Sequence, residues 1–153
     1  MNVITNAAFA YLHYLSFMIC FGALVFERIS LKTNPNRSEA FSMIVADIIY
    51  GVAGIALLVS GIYRVFKFGQ GSFFYTQNPI FWTKIIIFAC VGSLSLYPTV
   101  TYLLWAIPIS KGTLPKVTMQ LVSRLKIILN IELIGFALIP FFATLMARGV
   151  GIP

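Results

Sequence analysis

Three basic residues, Arg64, Lys84 and Arg148, stand at the ends of long apolar runs with no acidic residue near them in the chain. Lys84 closes the segment FYTQNPIFWTK and is followed by 25 uncharged residues, Ile85 to Ile109. A lysine one turn inside a membrane can be an anchor that snorkels to the surface. Three cations at one level, with no carboxylate among them, repel one another unless an anion sits between them. The trio therefore points to a site for a phosphate or carboxylate group.

Four further ionisable residues lie within or beside apolar runs: His13, Glu27, Asp47 and Glu132. Such a group costs about 2.5–3.5 kcal/mol at the centre of a membrane helix, so it needs a partner or a purpose. His13 reads either as a haem ligand or proton relay, or as a neutral imidazole hydrogen-bonded to a neighbouring helix. It is the only histidine, so a haem held by two histidines of one chain is excluded. The acidic group Glu27, Asp47 and Glu132 reads as an ion-pair network with Arg28, Arg124 and Lys126. The alternative is a proton-carrying chain with His13 above the carboxylates.

Positioning these groups falls to a chain whose solvent is mostly lipid. Of its 153 residues 59% are hydrophobic and 10% charged, with a mean hydropathy of +0.93. A soluble domain of this size cannot hide that much apolar surface. Four runs, Val3–Phe26, Ala40–Tyr63, Ile85–Ile109 and Ile127–Ala147, are long enough to cross a bilayer core about 30 Å thick. The first has no basic leader and no small-residue cleavage site, and is read as a membrane helix of the mature protein. The expected fold is all-α, one domain over 1–153. It is a four-transmembrane-helix bundle running up-down-up-down, with helices over 3–26, 40–66, 79–109 and 120–147.

Each helix has one stripe that gathers its polar groups. These stripes are His13, Phe17, Cys20, Leu24 and Glu27; Asp47, Gly51, Gly54 and Gly61; Lys84, Val91, Ser95, Pro98 and Tyr102; and Glu132, Gly135 and Ile139. Turning all four stripes inward gives a compact bundle. The glycines of the second are expected to let a neighbouring backbone come close. Asn78 and Pro79 suit a helix start, and Trp82 with Phe74, Tyr75 and Phe81 suits an aromatic belt. The segment FGQGSFFYTQNP is expected to lie at headgroup level.

Charge sets the expected orientation. The first and third loops carry Arg28, Lys32, Arg37, Lys111, Lys116, Arg124 and Lys126, against Arg64, Lys67, Lys84 and Arg148 on the other side. That imbalance puts the first and third loops in the cytoplasm and both termini outside. The net charge of +7 lies in the joints between apolar runs, which argues against nucleic acid as a partner. Cys20 and Cys90 sit inside apolar spans and define neither a disulfide framework nor a metal site. No hydrolytic nucleophile–base pair or phosphate-cradling glycine loop is present, so a soluble-type enzyme mechanism is not expected.

The segments YLHYL, DIIYG, GIYR, FFYTQNPIFWTK, SLYPT, the Glu132 helix and MARGVG together resemble a family of small bacterial integral-membrane proteins known as a domain of unknown function. The likeness covers nearly the whole chain. It implies a multi-pass protein of the bacterial inner membrane or an equivalent energy-transducing membrane, and assigns no activity. A more distant likeness is to the HemJ-type protoporphyrinogen oxidases and CopD-type copper-resistance proteins, with His13 and Lys84 at matching positions. The chain lacks the further arginine and the NE pattern near the end of HemJ-type sequences. This likeness makes haem the cofactor to test.

The expected function is a binding module for an anionic amphiphile, a haem, porphyrin or lipid head group, with Arg64, Lys84 and Arg148 at the outer rim and His13 deeper. Beside it stand an accessory subunit of a larger membrane complex or homo-oligomer, and a membrane oxidoreductase or proton-linked transporter using His13, Asp47 and Glu132.

Overall fold

Apolar helix formers dominate the four runs, and in lipid a helix satisfies every backbone group within itself. The computed structural model describes residues 3–68 and 72–151. Four long helices result: α1 Val3–Ser30, α2 Arg37–Tyr63, α4 Pro79–Ser110 and α5 Met119–Ala147, with a short α3, Ser72–Thr76, before α4. All four long helices are of a length and composition that can cross a membrane. Gly69, Gln70 and Gly71 of the expected headgroup-level loop lie outside the described residues.

The ends are set by local chemistry. The Asn36 side chain accepts from Glu39 N and the Glu39 side chain from Asn36 N, a capping box that starts α2 three residues before the expected position. Lys32 Nζ meets Glu39 Oε1 at 2.8 Å and pins the preceding turn. At its far end α2 widens into a π turn, Arg64–Phe68. Pro98, Pro108 and Pro140 sit inside α4 and α5, which run through them.

The long helices form a closed ring in chain order: α1 packs on α2, α2 on α4, α4 on α5, and α5 back on α1. Neighbours are antiparallel, as the pairs His13–Leu57 and Cys20–Tyr50, and Gly135–Val91 and Asn78–Val150, require. The expected up-down-up-down bundle is therefore present, and the inward stripes of α1, α4 and α5 hold. Cys20, Leu24, Val91, Tyr102, Leu129 and Phe136 fill the centre. Outward faces carry exposed apolar residues such as Ile48, Val52, Leu96, Val100, Ile131 and Ile134, which is the surface lipid requires.

One packing expectation needs correction. A side chain built at Gly51 or Gly54 would meet nothing within 4 Å, so these glycines face outward. The buried line of α2 runs instead through Met43, Asp47, Tyr50, Ala53, Leu57 and Ser60. Of the expected α2 glycines only Gly61 meets a neighbouring helix, at His13, and a tighter approach lies at Gly135 of α5, where any Cβ would collide with Val91 Cγ2 of α4.

Candidate functional site

The ring of helices sorts the ionisable residues into two separate groups. At the end shared by the start of α1, the end of α2 and the start of α4 lie His13, Arg64 and Lys84. Arg64 is within electrostatic reach of both Lys84 and His13, and Lys84 also acts on His13. The Arg64 guanidinium carbon sits 4.9 Å from the centre of the Tyr14 ring, and Lys84 Nζ 5.5 Å from that of Phe81. Both contacts are cation–π interactions, which hold a cation without neutralising it. Arg64 Nη1 is buried and has no hydrogen-bond partner.

His13 is locked rather than loose. Its Nδ1 lies 3.1 Å from the Leu57 carbonyl oxygen and 3.0 Å from Ser60 Oγ. Ser60 Oγ is itself 2.6 Å from the Ala56 carbonyl oxygen. Carbonyls only accept, so the most bonds form when Ser60 donates to Ala56 and Nδ1–H donates to Leu57. That tautomer leaves the Nε2 lone pair as the free functional end of the ring. Gly61 makes the close approach: a Cβ there would stand 3.1 Å from His13 Cε1.

Arg148 is not among the charges that act on Lys84 or His13. Contacts between Gly135 and Val91, and between Asn78 and Val150, set the register of α5 on α4. Lys84 then falls opposite residues 142 to 144, about 6–9 Å along the axis from Arg148 at 1.5 Å per residue. Arg148 is exposed and caps α5 through its backbone N–H. Gly149, with φ of 84°, completes a helix stop in which Gly149 N bonds Met146 O and Val150 N bonds Leu145 O. The MARGVG segment thus ends a helix and docks on Asn78. Asn78 is 1% exposed; its Oδ1 accepts from Ile80 N and its Nδ2 donates to Val150 O. The cap was legible in the sequence, but the tie to the tail was not.

The second group sits nearer the opposite end. Glu27, Asp47 and Glu132 are buried and within electrostatic reach of one another. Among the described residues none of them is in an ion pair, which corrects the expected network. Arg28 instead donates through Nε to Asn130 Oδ1 at 2.6 Å. Asp47 Oδ1 accepts from Thr99 Oγ1 at 2.8 Å. Glu27 Oε1, both carboxylate oxygens of Glu132 and the Tyr102 hydroxyl are buried without partners. Thr99 and Tyr102 were not marked as site residues by sequence, because a hydroxyl residue in an apolar helix reads like any core residue.

An aromatic layer separates the two groups. The Phe136 ring, 1% exposed, stands 5.6 Å from that of Phe17 and 6.1 Å from that of Tyr50. The rings of Phe17, Phe136 and Tyr50 thus stand between His13 and the carboxylates along the bundle. Among the described residues no set of three or more His, Cys, Asp or Glu side chains is placed to hold a metal ion.

Haem would need its macrocycle between His13 Nε2 and the cations. Two surface cavities, of about 480 and 360 Å³, are lined by Arg37, Ser38, Phe41 and Ile109, and by residues of α1 and α2 around Phe26 and Val45. Neither borders His13. His13 supplies one free nitrogen, and its ring is packed on Gly61.

A family model described as Predicted membrane protein (DUF2214) matches residues 5–151. The chain belongs to this family. The DUF2214 match spans all four long helices together with both ionisable groups, and its description agrees with the lipid-facing outer surface. No curated protein and no solved structure matches the chain.

Proposed function

We propose that this membrane protein binds the anionic head group of an amphiphile, a phosphate or carboxylate, between Arg64 and Lys84. The observation that carries the reading is the buried, unpartnered Nη1 of Arg64 beside a second cation. A charged donor left without an acceptor costs more than the roughly 1–3 kcal/mol of an unmade neutral bond. An anion supplies the missing acceptor and cancels the repulsion between the two cations. None of the chain's four acidic side chains is there to do so: Glu39 is engaged by Lys32, and the other three form the separate buried group. His13, whose Nε2 is free, lines the inner wall of this site, and Arg148 stands apart from it.

The test is purification in mild detergent, followed by mass analysis of retained lipids and an absorption spectrum. Inorganic phosphate and an anionic lipid should each raise the melting temperature of the wild type but not of Lys84→Ala. Stabilisation by the lipid alone identifies a headgroup site that also needs the acyl chains. Equal response of wild type and variant overturns the reading. A haem absorption band in the purified protein would replace the simple head group with a porphyrin.

A second reading rests on Gly51 and Gly54, whose open faces on lipid-exposed α2 suit a close-packing helix of another chain. A stable monomer in detergent at every concentration counts against it. The proposed setting is a bacterial inner membrane with the cation-rich first and third loops in the cytoplasm. A reporter fused to the carboxy terminus, active only outside the cytoplasm, tests that orientation.

A further inference from the structure

Four helices each send one acidic or phenolic group into a common buried region: Glu27 from α1, Asp47 from α2, Tyr102 from α4 and Glu132 from α5. All four are at most 4% exposed. The Tyr102 hydroxyl is within electrostatic reach of all three carboxyls and has no hydrogen-bond partner. Both oxygens of Glu132 and one of Glu27 are likewise unpartnered. Buried polar groups in folded proteins are almost always paired, with protein or with water. Four orphan atoms in one region therefore mark a place where something is bound.

The charge of the occupant follows from what surrounds it. The other polar side chains nearby are Thr99, bonded to Asp47, and Tyr50 and Ser95, with Ser95 Oγ donating to the Gly92 carbonyl. Cys20 adds a thiol that donates to the Tyr50 carbonyl. No basic side chain is among them; Arg28, the next residue after Glu27, is engaged with Asn130. Three carboxylates in an apolar interior without a counter-charge are untenable, so positive charge must enter. A metal ion needs several oxygens converging at bonding distance, and no such set of three exists among the described residues. Protons need no convergence, because each can sit on its own carboxyl and be passed through water.

We propose that Glu27, Asp47, Glu132 and Tyr102 form a proton-binding centre that holds its protons jointly, with internal water satisfying the orphan oxygens. Through that water the Tyr102 hydroxyl links the carboxyls, which lie within its electrostatic reach but beyond a direct hydrogen bond. The Phe17–Phe136–Tyr50 layer closes the centre toward His13. Protons are therefore exchanged with the end of the bundle that carries Lys32 and Glu39.

Infrared spectroscopy of the whole protein in lipid nanodiscs reads this directly. At neutral pH the wild type should show the carbonyl stretch of protonated carboxylic acids. The band should shift in deuterated water, and Glu132→Gln and Glu27→Gln should each remove part of it. Tyr102→Phe, which keeps the ring, should shift the band without abolishing it. Absence of the band in the wild type at neutral pH overturns the proposal, and that measurement needs no variant. A band that Tyr102→Phe leaves unchanged overturns the shared centre. Loss of the band when sodium replaces potassium at constant pH assigns the occupant to a metal cation instead, and also overturns it.

Discussion

His13 Nδ1 lies 3.0 Å from Ser60 Oγ, and the same ring rests where Gly61 has no side chain, so one imidazole keys α1 to α2. A methyl at Gly61 would stand 3.1 Å from His13 Cε1 and push the ring by a few tenths of an ångström against its bonds with Leu57 and Ser60. Gly61→Ala should therefore destabilise the bundle by about 1–2 kcal/mol, the scale of a mildly overpacked core. In a His13→Ala background the same change should cost little, because the colliding ring is gone. Thermal unfolding in detergent of the four proteins of this cycle measures the coupling, and additive effects would refute the keying role.

Lys84 and Arg148 separate electrostatics from helix ending. Lys84→Ala removes a repulsion on Arg64 and should leave the ligand-free protein as stable as the wild type or more so. The same variant should lose stabilisation by inorganic phosphate. Arg148→Ala should change stability by less than about 0.5 kcal/mol, as exposed substitutions do, and keep the response to phosphate. Melting curves with and without phosphate distinguish the two, and a matched loss in both variants would place Arg148 in the site after all.

Much of the architecture can be read from the residues, for a physical reason. In lipid, ionisable and small polar groups must hide, so Glu27, Asp47, Glu132 and Tyr102 point inward whatever the exact register. Register decided the rest. Arg148 shares a side of the membrane with Lys84 by loop counting, yet the α4–α5 offset leaves it beyond the cationic pair. Glycine is equally ambiguous from sequence: Gly51 and Gly54 face out, while Gly135 carries the tight crossing. From sequence the ionisable residues allow either an ion-pair network or a column with His13 on top, and the position of Phe136 between His13 and the carboxylates is not legible there.

Asn78 holds two segments at once, and its two roles can be separated. Asn78→Ala loses the cap on Ile80 N and the bond to Val150 O, and should cost about 1–2 kcal/mol. Asn78→Ser retains an oxygen for the cap, but its hydroxyl is one bond too short to donate to the tail carbonyl. It should recover part of the stability while leaving the tail as accessible to carboxypeptidase as in the alanine variant. Tail protection equal to that of the wild type in either variant would show that the Val150 bond is dispensable.

Gly135 is the position where a single added carbon should matter most. Its Cβ site overlaps Val91 Cγ2, and the neighbouring Ile87 Cγ2 is 3.7 Å away, so the new methyl has no room to turn aside. Helix separation would have to grow, and the loss should be about 1–3 kcal/mol. Glu132, one turn earlier on α5, would shift with the backbone, so Gly135→Ala should also disturb the carboxylic-acid infrared band. Val91→Ala in the same chain removes the colliding methyls and should restore both stability and band. Gly51→Ala, with nothing within 4 Å, is the matched control and should be neutral in the monomer. Equal effects at Gly135 and Gly51 would mean that the α4–α5 crossing is not the tight one.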